Sequence, residues 1–343
     1  MTSTMNALIA GTGPDWELRR VPVPTPGPGQ LLVRVCAAGV NRADLYMLTR
    51  SYNPALELGS EFPAGVELAG RVAAVGPGAD GFAVGDAIMG ISLGAFAEYS
   101  VVDHRMVVPV PDSLSWVQAA ALPVGLTTEH DALVAQGGFV AGQSVLIVGA
   151  TSAVGLLGVQ LAGSLGAGQV IGTTTSASKR NVVTRAGAGR VVDTRTERLA
   201  DAVLAATGDA GVDLVIDHVG GQSFADLLPA THIGGTIVSV GRLAGPTATI
   251  DLNAVAYRRL RIVGTTFTVR TPDEVAAVFS ALRPDVLAAV DRGDVRPVID
   301  RVFAFADAPA AAKYQGGNTT AGKVVLEMPA ASEHQAYDRI DEG

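Results

Sequence analysis

The chain has 343 residues, of which 48% are hydrophobic, and its formal net charge is −8 at pH 7. This length favours two domains over a single core. The densest basic cluster is the short stretch RRLR at 258–261, and the broad basic face of nucleic-acid-binding proteins is missing. We therefore expect no nucleic-acid partner. One cysteine, Cys36, excludes an internal disulfide framework and a thiolate zinc cluster.

The first residues, MTSTMNALIAGTGPDWELRR, lack the basic start and long apolar run that are typical of a signal peptide. No stretch of about 18 residues stays apolar without Gly, Ser or a charged residue, so we predict no membrane span. Together these features favour a cytoplasmic protein.

The first 120 residues contain short β-branched runs, LLVRVCAAGV and VELAGRVAAVG, which are bounded by Gly/Pro clusters. From about residue 115 onwards, predicted strands alternate with predicted helices. The strands are SVLIVGA, QVIGTTTS, RVVDT, VDLVIDHVG, GGTIVSVG and LRIVGTTF; the helices are AVGLLGVQLAGSLGA, SKRNVVTRAGA and ERLADAVLAATG. Such alternation predicts an α/β fold with a doubly wound parallel sheet.

Beyond about residue 270 the pattern predicts one helix, PDEVAAVFSALRPDVLAAVDRG, which Thr271 caps and Pro272 begins. RPVIDRVFAF and a last strand, GKVVLEM, follow. We divide the chain into a β-rich part, a doubly wound part, a return to the β-rich domain and a polar tail. Their ranges are 1–121, 122–266, 267–328 and 329–343.

The stretch VLIVGATSAVGLLGVQLAGSLG, residues 145–166, joins a predicted strand to a predicted helix through small residues. Such a turn presents backbone N–H groups and a helix dipole to a pyrophosphate. Gly149 would end the strand, Gly155 would let the helix pack closely, and Ala153 would replace the middle glycine of G-x-G-x-x-G with a negative φ. Between the two glycines, Thr151, Ser152, Ala153 and Val154 would face the phosphates. The alternative is a buried strand–helix joint without a ligand.

The end of the next predicted strand, GTTTSASKR, contains no acidic residue to bind the ribose 2′-hydroxyl of NAD. It offers hydroxyls at Thr174, Thr175 and Ser176, and then Lys179 and Arg180. These groups suit a 2′-phosphate, so we predict NADPH as the cofactor. The alternative is a helix start, with Ser176 as its N-cap and Lys179 in solvent.

Several motifs appear in an order that resembles a known family. They are AAGVNRADL, GVELAGRVAAVGPGADGFAVGD, GAFAEYSVV, AAALPVGLTTEHDAL, VLIVGATSAVG, VIDHVGG, DVRPVIDRVF and GKVVLEM. Over residues 5–328 the chain resembles the zinc-independent medium-chain dehydrogenase/reductase superfamily, and within it the quinone oxidoreductase branch, including the p53-inducible quinone reductase type. The resemblance implies a GroES-like β domain, built from both flanking parts, around a Rossmann domain.

The resemblance also bears on metal binding. In alcohol dehydrogenase relatives, a Cys and a His ligate a catalytic zinc, and the corresponding positions here hold Asn41 and Val66. Neither is a usual zinc ligand, so we expect no metal. The five histidines lack metal-ligand spacing and are interpreted as surface or packing residues. His130 is singled out because relatives often carry an aromatic residue there.

For the reaction, the resemblance implies hydride transfer from the nicotinamide to a substrate that the protein positions and polarises. Asn41 would lie at the nicotinamide and substrate, and Asp44 would order that loop without titrating. Tyr52 would line the pocket and hydrogen-bond the substrate carbonyl. Thr128 would contact the carboxamide, with Thr127 as the competing choice. The alternatives are an asparagine that serves only its turn and a tyrosine that packs on the domain edge.

The resemblance implies further cofactor contacts. The strand ends beside the adenosine and ribose would be Val219, Gly220, Val240 and Gly241. The segment with Phe267 and Thr268 would close over the nicotinamide. Thr194 would serve the 2′-phosphate region, and Lys323 would either reach the cofactor or stay solvated.

The resulting hypothesis is an NADPH-dependent reductase that transfers hydride to a small electrophilic substrate, either a quinone or the β-carbon of an activated alkene. Two alternatives stay open: a pathway-specific enoyl or polyketide-type reductase, and an NADPH-binding regulatory or structural protein. The resemblance alone implies a homodimer formed through the edge strand near 262–268.

Overall fold

The computed structural model describes residues 3–11, 13–48, 61–282, 286–317 and 319–329. The strands are β1 Thr4–Ala10, β2 Glu17–Pro22, β3 Gln30–Val40, β4 Phe62–Pro63, β5 Glu67–Val75, β6 Ala87–Ile91, β7 Tyr99–Asp103, β8 Val107–Pro109, β9 Ser144–Val148, β10 Gln169–Thr174, β11 Arg190–Asp193, β12 Val212–Asp217, β13 Thr231–Ser239, β14 Arg261–Gly264, β15 Ile299–Ala304 and β16 Lys323–Glu327.

The α-helices are α1 Arg42–Leu48, α2 Trp116–Ala119, α3 Pro123–His130, α4 Ala153–Ser164, α5 Arg180–Arg185, α6 Leu199–Ala206, α7 Leu227–Ala230, α8 Leu252–Arg258, α9 Pro272–Leu282, α10 Val286–Arg292 and α11 Ala308–Gly316. Short 3-10 turns cover His104–Met106, Ala177–Lys179, Gly221–Asp226 and Phe305–Asp307, and a π-helical turn covers Asp131–Gln136.

A six-stranded parallel sheet forms the middle of the chain, in the order β11-β10-β9-β12-β13-β14. Numbered from β9, this order is 3-2-1-4-5-6, the doubly wound arrangement that binds dinucleotides where the strand order reverses. The reversal lies between β9 and β12. The predicted α/β fold class and all six predicted strands of this sheet are confirmed.

A second sheet, of seven strands, collects elements from distant parts of the sequence. Its order is β15-β16-β3-β5-β6-β8, with β7 also paired to β3. Residues after 295 therefore return to the β-rich part, as the sequence predicts. The parallel pair β15–β16 joins a sheet whose other pairs are antiparallel.

The segment predicted as one helix contains two described helices, α9 and α10. Thr271 caps α9 as predicted: its hydroxyl accepts a hydrogen bond from the Glu274 N–H at 3.3 Å, and the Glu274 carboxylate accepts one from the Thr271 N–H at 2.7 Å. The domain boundaries at 121/122 and 266/267 stay predictions.

Candidate functional site

The turn between β9 and α4 leaves two backbone amides available. The Ser152 hydroxyl accepts the Gly155 N–H at 3.0 Å and donates to the Gly149 carbonyl at 2.9 Å, so it caps the helix and closes the turn. Within the described part of the chain, the N–H groups of Ala153 and Val154 have no acceptor. They lie at the positive end of a 12-residue helix, where an anion is stabilised.

The glycines of this turn are required by geometry. Gly149 has φ +80°, and a Cβ on Gly155 would lie 2.6 Å from the Gly149 carbonyl oxygen and 2.8 Å from the Ala150 Cα. The close approach predicted for Gly155 is confirmed, as is a φ outside the left-handed region for Ala153. Counted back from Gly155, however, the middle position of G-x-G-x-x-G falls on Ser152 rather than on Ala153 as predicted. Thr151 lies half-buried in the same turn.

The ends of β12 and β13 meet beside this turn through Asp217. Its buried carboxylate accepts the Val219 and Gly220 N–H groups at 2.9 and 3.1 Å, and its carbonyl accepts those of Val240 and Gly241 at 2.9 and 3.0 Å. Burial raises the pKa of Asp217, and these hydrogen bonds oppose the rise. A Cβ on Gly149 would lie 3.1 Å from Val219. The ends of these two strands therefore bring together Val219, Gly220, Val240 and Gly241, next to the turn.

The groups predicted for the 2′-phosphate lie together but have protein partners. The Thr174 hydroxyl donates to the Ser176 carbonyl at 3.1 Å and accepts the Ser176 N–H at 3.0 Å. Ser176 precedes a 3-10 turn without capping it through its side chain. The exposed Thr194 donates its N–H to the Thr174 carbonyl at 2.9 Å. These contacts bring three of the predicted residues to one corner of the sheet.

Lys179 is half-buried rather than in free solvent, although Ser176 does stand at the start of a 3-10 turn, as the alternative expected. Its ammonium donates to the Thr320 carbonyl at 2.8 Å. Burial lowers the pKa of Lys179, and the Asp300 carboxylate opposes this. Arg180 points elsewhere, because it donates to the Val191 carbonyl at 2.6 Å.

Asn41, Glu67 and Lys323 form a buried cluster. The Lys323 ammonium donates to the Asn41 side-chain oxygen at 2.7 Å and pairs with the Glu67 carboxylate, which also accepts the Asn41 amide at 2.8 Å. Lys323 is only 2% exposed, which rules out the predicted solvated alternative. Both polar ends of Asn41 are therefore bound inside the protein, and its place at the nicotinamide and substrate stays a prediction.

Glu67 also holds the start of α3. Its second carboxylate oxygen accepts the Val124 N–H at 2.9 Å, while Leu122, the N-cap residue, provides no side-chain cap. One carboxylate of the β-rich part therefore caps the helix that opens the doubly wound part. Sequence reasoning missed this role. The available signal was a lone charge inside the apolar run VELAG, which predicts a buried partner.

Asp44 orders the loop as predicted, because its carboxylate accepts the Asn41 N–H at 2.7 Å. The prediction that it does not titrate is wrong. Burial raises its pKa to about 7, and the other carboxylate oxygen has no hydrogen-bond partner among the described residues. Asp44 therefore changes protonation near neutral pH.

This raised pKa predicts a pH-dependent stability. An unfolded aspartate ionises near pKa 3.9, whereas Asp44 titrates at about 7 in the fold. Between those values the native state holds a proton that the unfolded state has lost, so the free energy of unfolding falls as the pH rises. Asp44→Asn, which keeps an acceptor for Asn41, should gain stability relative to the parent across this range in urea unfolding. A difference that stays constant with pH would contradict the assignment.

Helix α3 presents one of the two predicted threonines. The Thr127 hydroxyl donates to the Pro123 carbonyl at 2.7 Å and is fully buried. Thr128 is half-buried, and its hydroxyl has no hydrogen-bond partner in the described part of the chain, so it is the threonine that can serve a ligand. Tyr52, the third predicted catalytic residue, lies outside the described residues.

The same helix carries acidic side chains that sequence reasoning did not weigh. The Glu129 carboxylate lies 2.6 Å from the His218 Nε2, and both side chains are buried. Burial lowers the pKa of His218, but the Glu129 and Asp217 carboxylates raise it, and the net pKa is above the ordinary value. His218 follows β12 and directly precedes Val219, so this buried pair adjoins the strand-end residues. His130, the histidine singled out from the sequence, directly follows Glu129 and is also buried.

The segment after β14 supplies the last predicted residues. Phe267 is half-buried and packs against the core that the two sheets share with α3 and α4, and the Thr268 hydroxyl lies 2.7 Å from that of Thr266. Arg270 places its guanidinium 4.7 Å from the Phe267 ring centroid. Among the described residues, no group of three or more His, Cys, Asp or Glu side chains is placed to hold a metal ion.

Comparison with known proteins places this geometry in a family. Residues 27–112 match the alcohol dehydrogenase GroES-like domain, and residues 153–283 match the zinc-binding dehydrogenase family. A quinone oxidoreductase of Pseudomonas aeruginosa is 32% identical over 92% of this chain and 96% of that protein. The chain belongs to the medium-chain dehydrogenase/reductase superfamily, in its quinone oxidoreductase branch. It is an oxidoreductase.

Other proteins resemble the chain over different shares of their length. The spectinabilin polyketide synthase system protein NorB of Streptomyces orinoci is 33% identical over 94% of this chain, but the match spans only 14% of that protein. A mycobacterial protein solved in complex with NADPH superposes with a TM-score of 0.84 and 29% identity, over 94% of this chain and 99% of that one. In the described part of this reductase, no helix is long and apolar enough to cross a bilayer.

Proposed function

We propose that the protein is an NADPH-dependent reductase that transfers hydride to a quinone or to the β-carbon of an activated alkene. The observation that carries the proposal is the pair of unpartnered amides, Ala153 and Val154, at the N-terminus of α4 and next to the strand-order reversal. When bound, NADPH supplies the hydride. The amides would hold its pyrophosphate, and its adenosine and ribose would lie beside Val219, Gly220, Val240 and Gly241.

The substrate end is assigned to α3 and the segment after β14. The Thr128 hydroxyl would hold the carboxamide, and Phe267 and Thr268 would cover the nicotinamide and keep water out. Tyr52 would donate a hydrogen bond to the substrate carbonyl, where negative charge develops. Asn41 would line this site, held in place by its hydrogen bonds to Glu67 and Lys323.

The reaction is proposed to need no metal. Asn41 and Val66 stand where zinc-dependent relatives carry ligands, and the Lys323 ammonium already lies 2.7 Å from the Asn41 oxygen. A second cation there would be repelled. NADPH consumption over a panel of quinones, enones and enoyl thioesters, with and without a chelator, tests both parts. Activity on none of these substrates would reject the reductase, and loss of activity on chelation would reject metal independence.

A polyketide-type enoyl reductase is the second candidate, because NorB matches 94% of this chain. The same substrate panel separates the two. Turnover of enoyl thioesters well above that of quinones and free enones would favour this second candidate.

The cofactor proposal predicts that NADPH binds at least about tenfold tighter than NADH. Lys179→Ala should weaken NADPH binding by about tenfold or more and leave NADH unchanged, since a charge-assisted hydrogen bond contributes about 1.5–3 kcal/mol. Lys313→Ala, at an exposed lysine of α11, is the matched control. Fluorescence titration provides the measurement. Equal affinities for the two cofactors in the parent would remove the 2′-phosphate argument.

The homodimer is proposed through β14, which is the outer strand of the parallel sheet and exposes 41% of Ile262. An edge strand with an exposed apolar side chain is suited to pair with a second copy. Sedimentation of the parent should give a dimer, and Ile262→Asp should shift it towards monomer. A monomeric parent would refute the proposal.

A further inference from the structure

Helix α3 runs without interruption into the π-helical turn Asp131–Gln136. π-Helical turns are rare and occur mostly as single turns at functional sites. Asp131 is the first residue of this turn. It is 2% exposed and lies three residues after Thr128 on the same helix, so the two side chains share a face.

Asp131 ties the segment after β14 to this helix. Its carboxylate accepts the Thr265 hydroxyl at 2.7 Å and the Arg270 guanidinium at 2.6 Å, and Arg270 donates a second hydrogen bond to the Thr265 hydroxyl at 3.1 Å. The other carboxylate oxygen accepts the Gln136 amide at 3.3 Å. Both of its oxygens are therefore satisfied inside the protein.

The carboxylate of Asp131 holds both ends of the short segment Thr265–Arg270. Thr265 and Arg270 are its first and last anchored residues, and the guanidinium lies over the Phe267 ring between them. Val269, by contrast, is 67% exposed. A buried, hydrogen-bonded charge pair with a planar guanidinium holds a fixed geometry more firmly than a local hydroxyl pair such as Thr266–Thr268.

We propose that Asp131 and Arg270 are positioning residues that hold the Thr265–Arg270 segment at a fixed distance from the helix carrying Thr128. This inference rests on the proposed function, in which these two elements are the walls of the nicotinamide end. The pair itself touches neither cofactor nor substrate. It sets the spacing between Thr128 on one wall and Phe267 on the other, and small displacements of such walls cost up to about a hundredfold in rate.

The test compares Asp131→Asn and Arg270→Gln with the parent in three measurements. Amide hydrogen exchange of residues 264–271 in the protein alone should accelerate by about tenfold or more in both variants. Affinity for NADPH should fall by about tenfold, while affinity for 2′,5′-ADP, which lacks the nicotinamide, should stay unchanged. In turnover, kcat should fall by more than the KM for substrate rises.

Two further variants keep the test decisive. Thr265→Val removes one hydrogen bond to Asp131 without leaving a buried charge, and it should accelerate exchange in the same direction, by about threefold. Arg105→Gln breaks two ion pairs of a largely exposed arginine, one with Asp103 and one with Asp273 at the start of α9, and should leave all three measurements unchanged.

Unchanged exchange in residues 264–271, or a parallel loss of NADPH and 2′,5′-ADP affinity, would overturn the inference. A purely structural role would lower overall stability without changing the ratio of those two affinities. If the parent bound no NADPH, the proposed function would fail, and the exchange measurement would still decide whether the pair holds the segment.

Discussion

Replacing Glu67 with glutamine is expected to lower the free energy of unfolding by about 3–5 kcal/mol, because it leaves the Lys323 ammonium buried without its counter-charge. Glu67 and Lys323 are 0% and 2% exposed, so solvent cannot take over the missing interaction. Glutamine has the same shape and still offers an acceptor to the Val124 N–H. The loss therefore reports the charge rather than a cavity, and denaturant unfolding measures it.

Two further variants separate the ion pair from other effects. Glu61→Gln removes the same charge from an exposed pair with Arg19 and should cost no more than about 1 kcal/mol. Adding Lys323→Met to Glu67→Gln removes the uncompensated charge and should recover part of the lost stability. Equal losses for Glu67→Gln and Glu61→Gln would show that the buried pair contributes nothing special.

Replacing Gly155 with alanine should weaken NADPH binding by at least about tenfold and cost about 1–3 kcal/mol of stability. The new methyl group would lie 2.6 Å from the Gly149 carbonyl oxygen and 2.8 Å from the Ala150 Cα, and backbone atoms cannot move aside as a flexible side chain can. Helix α4 must then shift away from β9, and the free amides of Ala153 and Val154 move with it. Titration with NADPH and thermal unfolding provide the measurements.

Gly163→Ala is the matched control on the same helix. A Cβ there meets no atom within 4 Å, so we expect unchanged cofactor binding and a stability gain of up to about 1 kcal/mol from the better helix former. Similar losses of NADPH affinity in both variants would mean that α4 tolerates no alanine, and the close approach at Gly155 would not be the cause.

Much of the parallel sheet could be predicted because its signals are local. Strands such as SVLIV and VDLVID are short segments built around consecutive apolar residues, and Ser152 caps the helix that follows the first of them. The strand-end residues Val219 and Gly241 were expected from the family resemblance, and they lie together because parallel strands end at one edge of a sheet.

The charge pairs could not be predicted because their partners are far apart in the sequence. Arg270 meets Asp131 139 positions away, and Lys323 meets Glu67 256 positions away. A single sequence shows each of these residues only as a charge in an apolar or polar neighbourhood. The same limit explains Asn41: its place in the turn could be predicted, but not that Glu67 and Lys323 would occupy both ends of its amide.

The position of β16 has a consequence for how this chain acquires its structure during synthesis. Lys323 emerges from the ribosome 282 residues after Asn41, and β16 then inserts between β15 and β3. The parallel sheet, whose strands end at Gly264, can assemble first, whereas the β-rich sheet waits for its last strand. Until then Glu67 and Asn41 remain hydrated in an incomplete sheet. Completing this domain is therefore a late, long-range step, which we expect to be slow and the stage most exposed to aggregation.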